Sequence, residues 1–126
     1  MEGGSGSDIL DGGRDDDRLD GDSGDDLRFG GRGNDLLDGG SGDDLIDGGR
    51  GSDTVTYVRA DAGVTIDLEY GYADGLDTGF DLLYDIENAI GSRNNDVIYA
   101  AEGGVFEGGK GDDRISTGDG NDVIFG

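Results

Sequence analysis

GGSGDDLIDGGRGSD, residues 39–53, sets glycine and aspartate almost continuously around one pair of large aliphatics, Leu45 and Ile46. Shifted by nine, GGSGDD returns as GGRGSD. The same frame extends backwards through GGSGSDILD, GGRDDDRLD, GDSGDDLRF and GGRGNDLLD, so that residues 3–56 read as consecutive nonapeptides. Aspartate fills the sixth position every time, as Asp8, Asp17, Asp26, Asp35, Asp44 and Asp53. A fixed period decides architecture before any propensity argument, because each unit can bury its apolar face only against the next copy.

The third position alternates, with Ser5, Ser23 and Ser41 in odd repeats and Arg14, Arg32 and Arg50 in even ones, so the structural unit is a pair of nonapeptides. Two nonapeptides make one circuit of a coil, each giving a six-residue turn and a three-residue strand, with equivalent residues of successive circuits stacked about 4.8 Å apart. Turns then line two opposite edges, a serine edge and an arginine edge. Side chains alternate along a strand, so the eighth position points inward and the seventh and ninth outward. The eighth is Leu10, Leu19, Leu37, Ile46 or Val55. Arg28 interrupts this series, and two outcomes are open: it reaches out to solvent, or a local shift turns Leu27 and Phe29 inward.

The frame returns as GSRNNDVIY (91–99), GGKGDDRIS (108–116) and TGDGNDVIF (117–125), around the shortened AAEGGVFE (100–107). Three parts of one continuous solenoid follow: a first repeat block (1–56), a β-rich spacer or capping segment (57–90) without nonapeptide register, and a second block (91–126). The spacer is expected to make longer strands that continue or cap the stack. The expected fold is all-β, a parallel β-roll (right-handed parallel β-helix solenoid).

Composition makes such a fold conditional. The chain has 29 glycines, 32% hydrophobic residues and a formal charge of −22. Glycine loses the most backbone entropy on ordering, and low hydrophobicity beside high net charge favours disorder. Something positive that binds only the folded form would offset this. Nine basic against 31 acidic residues leave no phosphate-neutralising surface, so nucleic acid and anionic membranes are poor partners. With no cysteine and no histidine, the ligands available to a metal are hard oxygens. MEGGSGSDIL carries neither a basic segment nor an apolar run, and no stretch reaches the length of a membrane span.

Stacked sixth-position aspartates repel unless a dication lies between them. Calcium suits that place, since it takes six to eight oxygens, main-chain carbonyls included, with tolerant angles, whereas magnesium demands a strict octahedron. Expected sites pair Asp8 with Asp26, Asp17 with Asp35, Asp26 with Asp44, and Asp35 with Asp53. The second block adds Asp96 with Asp113 and a half-site at Asp122. Positions one and three of one turn, with two and four of its neighbour, are the expected carbonyl donors, which includes Gly12, Arg14, Gly21, Ser23, Gly30, Arg32, Gly39 and Ser41. About five calcium ions would bring the charge from −22 to about −12.

These residues resemble the repeats-in-toxin (RTX) family, whose nonapeptide G-G-x-G-x-D-x-U-x is a calcium-binding repeat. GGSGSDILD, GGRGNDLLD, GGSGDDLID and GGKGDDRIS fit every defining position, and DTVTYVRADAGVTIDL with DIENAIGSRNND is similar to the spacer that joins two such blocks. The resemblance implies calcium in the turns of a parallel β-roll, export by bacterial type I secretion through an uncleaved carboxy-terminal signal, and folding outside the cell. Asp15 and Asp22 depart from the motif at turn glycines.

Competing motifs fail on single residues. DGDSGD (20–25) imitates an EF-hand loop but has Gly31 where the closing glutamate belongs, and Gly104, Gly109 and Lys110 imitate a phosphate loop with Gly111 in place of Ser or Thr. No nucleophile–base pair is available, so the chain is not expected to be an enzyme. The leading expectation is a calcium-binding module of a secreted protein that folds on calcium. The alternative is an adhesive or glycan-binding module in which calcium is structural, with the arginine ladder meeting an anionic glycan against the overall charge. Ile9, Leu27 and Leu45 are expected to form an outward apolar line that packs on the spacer or a neighbouring domain. A chain that opens within a repeat and closes on NDVIFG reads as a piece of a longer parent.

Overall fold

The computed structural model describes all of residues 1–126 and contains strands, turns and no helix. Fifteen strands form in chain order: β1 (Glu2–Ser5), β2 (Ile9–Arg14), β3 (Arg18–Ser23), β4 (Leu27–Arg32), β5 (Leu36–Asp38), β6 (Leu45–Arg50), β7 (Thr54–Thr56), β8 (Val64–Asp67), β9 (Tyr72–Gly75), β10 (Gly79–Tyr84), β11 (Asn88–Ile90), β12 (Val97–Ala100), β13 (Val105–Glu107), β14 (Arg114–Thr117) and β15 (Val123–Phe125). Through the first block they alternate between two sheets, as a two-nonapeptide circuit requires. One sheet runs β1-β3-β5-β7-β11-β13-β15, parallel throughout. The other runs β14-β12-β8-β9-β10-β6-β4-β2, and only β9 is antiparallel to its neighbours. The fold is a parallel β-roll.

Register in the first block is eighteen residues, with Leu27 opposite Leu45, Leu19 opposite Leu37 and Leu37 opposite Val55. Strands β2, β3, β4 and β6 are six residues long rather than three. Pairing continues past the apolar triplet into the turn, where Gly13 lies opposite Gly31 and Arg14 opposite Arg32. The turn is kept uniform by its backbone: positions two and four are left-handed in all six repeats, including Asp15 (φ 76) and Asp22 (φ 65). Aspartate is one of the few residues that tolerates this region, so both departures from the motif preserve the turn. At Gly42 (φ +125) close approach adds a second demand, since a Cβ there would strike the Gly24 main chain.

The spacer differs from expectation. Two of its strands are in nonapeptide register: Leu82, Leu83 and Tyr84 pair with Leu45, Ile46 and Asp47, and Asn88, Ala89 and Ile90 pair with Thr54, Val55 and Thr56. TGFDLLY is therefore a disguised repeat, in which Asp81 takes the sixth position and Leu83 the eighth. The frame is hidden because only two residues, Asp85 and Ile86, link Tyr84 to Glu87, where Gly48 to Ser52 make the corresponding turn below. The spacer strands are also no longer than those of the repeats. Strand β9 is the true insertion, and Tyr72 stacks on Phe80 across it with ring centroids 5.6 Å apart.

The core is a single ladder of inward residues, Leu37, Ile46, Val55, Ala89 and Phe106 among them, widened by Tyr57, Val64, Ile66 and Leu83 from the spacer and by Ile98 from the second block. Leu10 and Leu19 are buried but lie outside this cluster. Arg28 follows neither open outcome. Register is kept, Leu27 and Phe29 stay outward at 38% and 37% exposure, and Arg28 itself is fully buried. The apolar line of Ile9, Leu27 and Leu45 is extended by Leu82 rather than covered by the spacer, and Ile9 remains 72% exposed. Arg59, in the loop after β7, reaches back to Asp20, Asp22 and Asp38 and ties the spacer to the first block.

Candidate metal centres

Each sixth-position aspartate ends a turn and begins a strand, so its side chain folds back under the turn it closes. Its two oxygens have different fates. Oδ1 accepts the amide of the equivalent aspartate one circuit earlier: Asp26 from Asp8, Asp35 from Asp17, Asp44 from Asp26 and Asp53 from Asp35, each at 2.8 Å. In the second block Asp113 accepts from Asp96 at 2.9 Å, and Asp96 from Val64 at 2.7 Å. The ladder continues through two residues that periodicity does not reveal, since Asp81 accepts from Asp44 and Glu87 from Asp53. A second, exposed ladder of the same kind runs through position five, with Asn34 donating to Asp16, Asp43 to Asp25 and Ser52 to Asn34. The recurrence of Asp or Asn at that position was its signal in the sequence.

Oδ2 is left over. In Asp8, Asp17, Asp35 and Asp53 it is buried without a hydrogen-bond partner, a costly state for a carboxylate oxygen. Each such atom sits over the first glycine of its own turn, beside a carbonyl from the next circuit. A methyl group on Gly12 would lie 2.9 Å from Asp17 Oδ2 and 2.7 Å from the Gly30 carbonyl. On Gly3 it would meet Asp8 Oδ2 at 3.0 Å and the Gly21 carbonyl at 3.1 Å. The Gly91 place is arranged alike, with Asp96 Oδ2 and the Gly108 carbonyl converging over the glycine, but there Oδ2 already accepts the Ser92 amide at 2.6 Å and Oδ1 the Ser92 hydroxyl at 2.8 Å. Asp35 Oδ2 and the Gly48 carbonyl converge over Gly30, and Asp53 Oδ2 and the Asp85 carbonyl over Gly48. The glycine floors a small oxygen-lined cradle that a Cβ would fill. No point gathers three carboxylates, so a cation held here would take the rest of its shell from the main chain.

The carbonyls divide by position. Those of Gly21 and Gly30, at position one, face cradles. Those of Ser23 and Ser41, at position three, accept the amides of Gly6 and Gly24 and help hold the sheet together. Gly39 accepts from Arg28 at 2.8 Å. For Gly12, Arg14 and Arg32 the structure shows no partner at the carbonyl beyond strand pairing. Asp122 keeps a buried oxygen without a partner, as a half-site would. Arg14, Arg32 and Arg50 stand exposed in register. Ion pairs form instead at Arg28 and Arg59.

Between the third and fourth circuits the serine edge holds a different arrangement. The Tyr57 hydroxyl donates to Asp81 Oδ2 at 2.5 Å, and Arg28 makes an ion pair with Asp44 beside them. Burial pushes Asp81 up to about 7 despite the bonds it accepts from Tyr57 and from the amide of Asp44. Burial likewise pushes Asp44 up to about 6 against the attraction of Arg28. A carboxylate whose affinity for protons is higher folded than unfolded stabilises most below its unfolded value, near pH 4, and that contribution is lost as pH rises through 6 and 7. Calcium-free protein is therefore expected to retain more β-structure at pH 5 than at pH 8. Equal or greater retention at pH 8, read by circular dichroism, would contradict this.

Parallel turns with glycine floors, aligned carboxylates and spare buried oxygens mark a stacked-turn repeat protein with places suited to cations. The signature of the RTX calcium-binding nonapeptide repeat matches the chain in four copies, over residues 1–27, 29–55 and 105–126. The chain belongs to that family, a calcium-binding structural repeat rather than a family of enzymes. No curated protein matches it.

Proposed function

We propose that the chain is a calcium-binding β-roll module of a secreted bacterial protein, exported by type I secretion and folded by calcium outside the cell. The observation that carries this reading is the set of buried, partnerless Oδ2 atoms held against carbonyls over Asp8, Asp17, Asp35 and Asp53. Bare, these oxygens oppose folding. With a dication they become part of the core.

Cradles of this kind lie between Asp8 and Asp26, Asp17 and Asp35, and Asp35 and Asp53. Between Asp96 and Asp113 the same glycine-floored place recurs, with Ser92 bonded to Asp96. Glu87 provides a carboxylate above Asp53 and completes a further place. On this reading about five ions bind, with a different membership from that expected from the periodicity alone, and Asp122 is a half-site. Neutralising ten charges by about five dications also relieves much of the repulsion within a chain of net charge −22. Calorimetric titration tests the reading: calcium is expected to bind saturably at several sites and magnesium at none at equal concentration. Indifference between the two ions would sink it.

A further inference from the structure

On the serine edge, the cradle between Asp26 and Asp44 is already full. By the pattern of its neighbours it should be floored by Gly21 and lined by Asp26 Oδ2, the Gly39 carbonyl and Asp44. Above Gly21 lie Asp26 Oδ2 and, 3.0 Å from where a Cβ would be, the Cζ of Arg28. The guanidinium donates through Nη2 to the Gly39 carbonyl at 2.8 Å and through Nη1 to the Asp38 carbonyl, and it makes an ion pair with Asp44 Oδ2. Arg28 and the Asp44 side chain are both completely buried. We propose that Arg28 is a built-in cation that takes the place of calcium in the Asp26–Asp44 cradle.

The chemistry follows from what the cradle requires. It presents two carboxylates and a main-chain carbonyl with no access to water, and it demands positive charge. A guanidinium supplies that charge with a planar fork of donors suited to oxygens converging from several sides. Calcium would supply two charges, and the guanidinium only one. One circuit above, Asp81 accepts the Asp44 amide at Oδ1 and the Tyr57 hydroxyl at Oδ2, so a neutral donor stands where a second cation would otherwise be called for. The Tyr57 ring lies against Gly39, the floor of that next cradle, and fills it too. Two consecutive places on the serine edge are thus closed by side chains, while the places between Asp17, Asp35, Asp53 and Glu87 on the arginine edge stay open. A built-in cation here lets the middle of the serine edge close without a metal ion of its own.

This inference rests on the reading of the other cradles as calcium sites. The test is native mass spectrometry of the full chain at saturating calcium. Arg28→Leu, which restores the aliphatic that the eighth position normally carries, is expected to bind one calcium ion more than the unaltered protein. An equal count would overturn the proposal. Should the variant fail to fold, crystals of the unaltered protein soaked with terbium decide the matter by anomalous scattering. Peaks between Asp17 and Asp35 and between Asp35 and Asp53, with none between Asp26 and Asp44, support it. A peak between Asp26 and Asp44 overturns it. Absence of peaks on the arginine edge would instead remove the calcium reading itself.

Discussion

Stripped of calcium at neutral pH, the protein is expected to lose its β-structure, and added calcium to restore it cooperatively. The magnitude comes from linkage. An ion at a hundred times its dissociation constant adds about 2.7 kcal/mol to the folded state, so four or five ions contribute roughly 11–14 kcal/mol. That equals the whole stability of a typical domain. Little else in the chain could replace it, because the core takes only one or two side chains from each strand and five of its twelve members are valine or alanine. Far-ultraviolet circular dichroism during a calcium titration reads the transition. Magnesium at the same concentration is expected to leave the chain unfolded, since a cradle built from fixed carbonyls cannot supply a strict octahedron. A full β spectrum in chelator at pH 8 would refute the dependence.

The repeat blocks and their edges were legible because periodicity reports stacking directly: residues eighteen apart in sequence are neighbours in the sheet. Asp81 and Glu87 were not legible, although they occupy the same rung as Asp44 and Asp53. Strand β9 and the shortened link between Tyr84 and Glu87 break the spacing while leaving pairing intact, and spacing was the only signal. Arg28 escaped for another reason. Sequence patterning assigns an inward charge to an error of register, whereas here an acid and two carbonyls at the same level engage both terminal nitrogens of the guanidinium, leaving Nε alone without a partner. That compensation joins residues ten to sixteen positions apart and follows no period. The division of labour within each aspartate was likewise invisible, because it depends on which oxygen faces the amide of the preceding circuit.

That division makes Asp35→Asn the sharpest test of the arginine edge. Asp35 serves both the place shared with Asp17 and the one shared with Asp53, so a single substitution alters two cradles. Asparagine retains an Oδ1 able to accept the Asp17 amide, now at 2.8 Å, and replaces only the spare oxygen with an NH2 group. With calcium, two shells lose a charged ligand, and the midpoint of the calcium titration is expected to rise at least about tenfold, roughly 1.4 kcal/mol or more. Without calcium, the same change removes a buried, partnerless carboxylate oxygen and its repulsion from Asp53. The calcium-free protein should then retain more residual β-structure than before. Opposite signs in the two conditions are what an oxygen held for a cation requires. A loss of equal size with and without calcium would mean that Asp35 Oδ2 is an ordinary part of the packing.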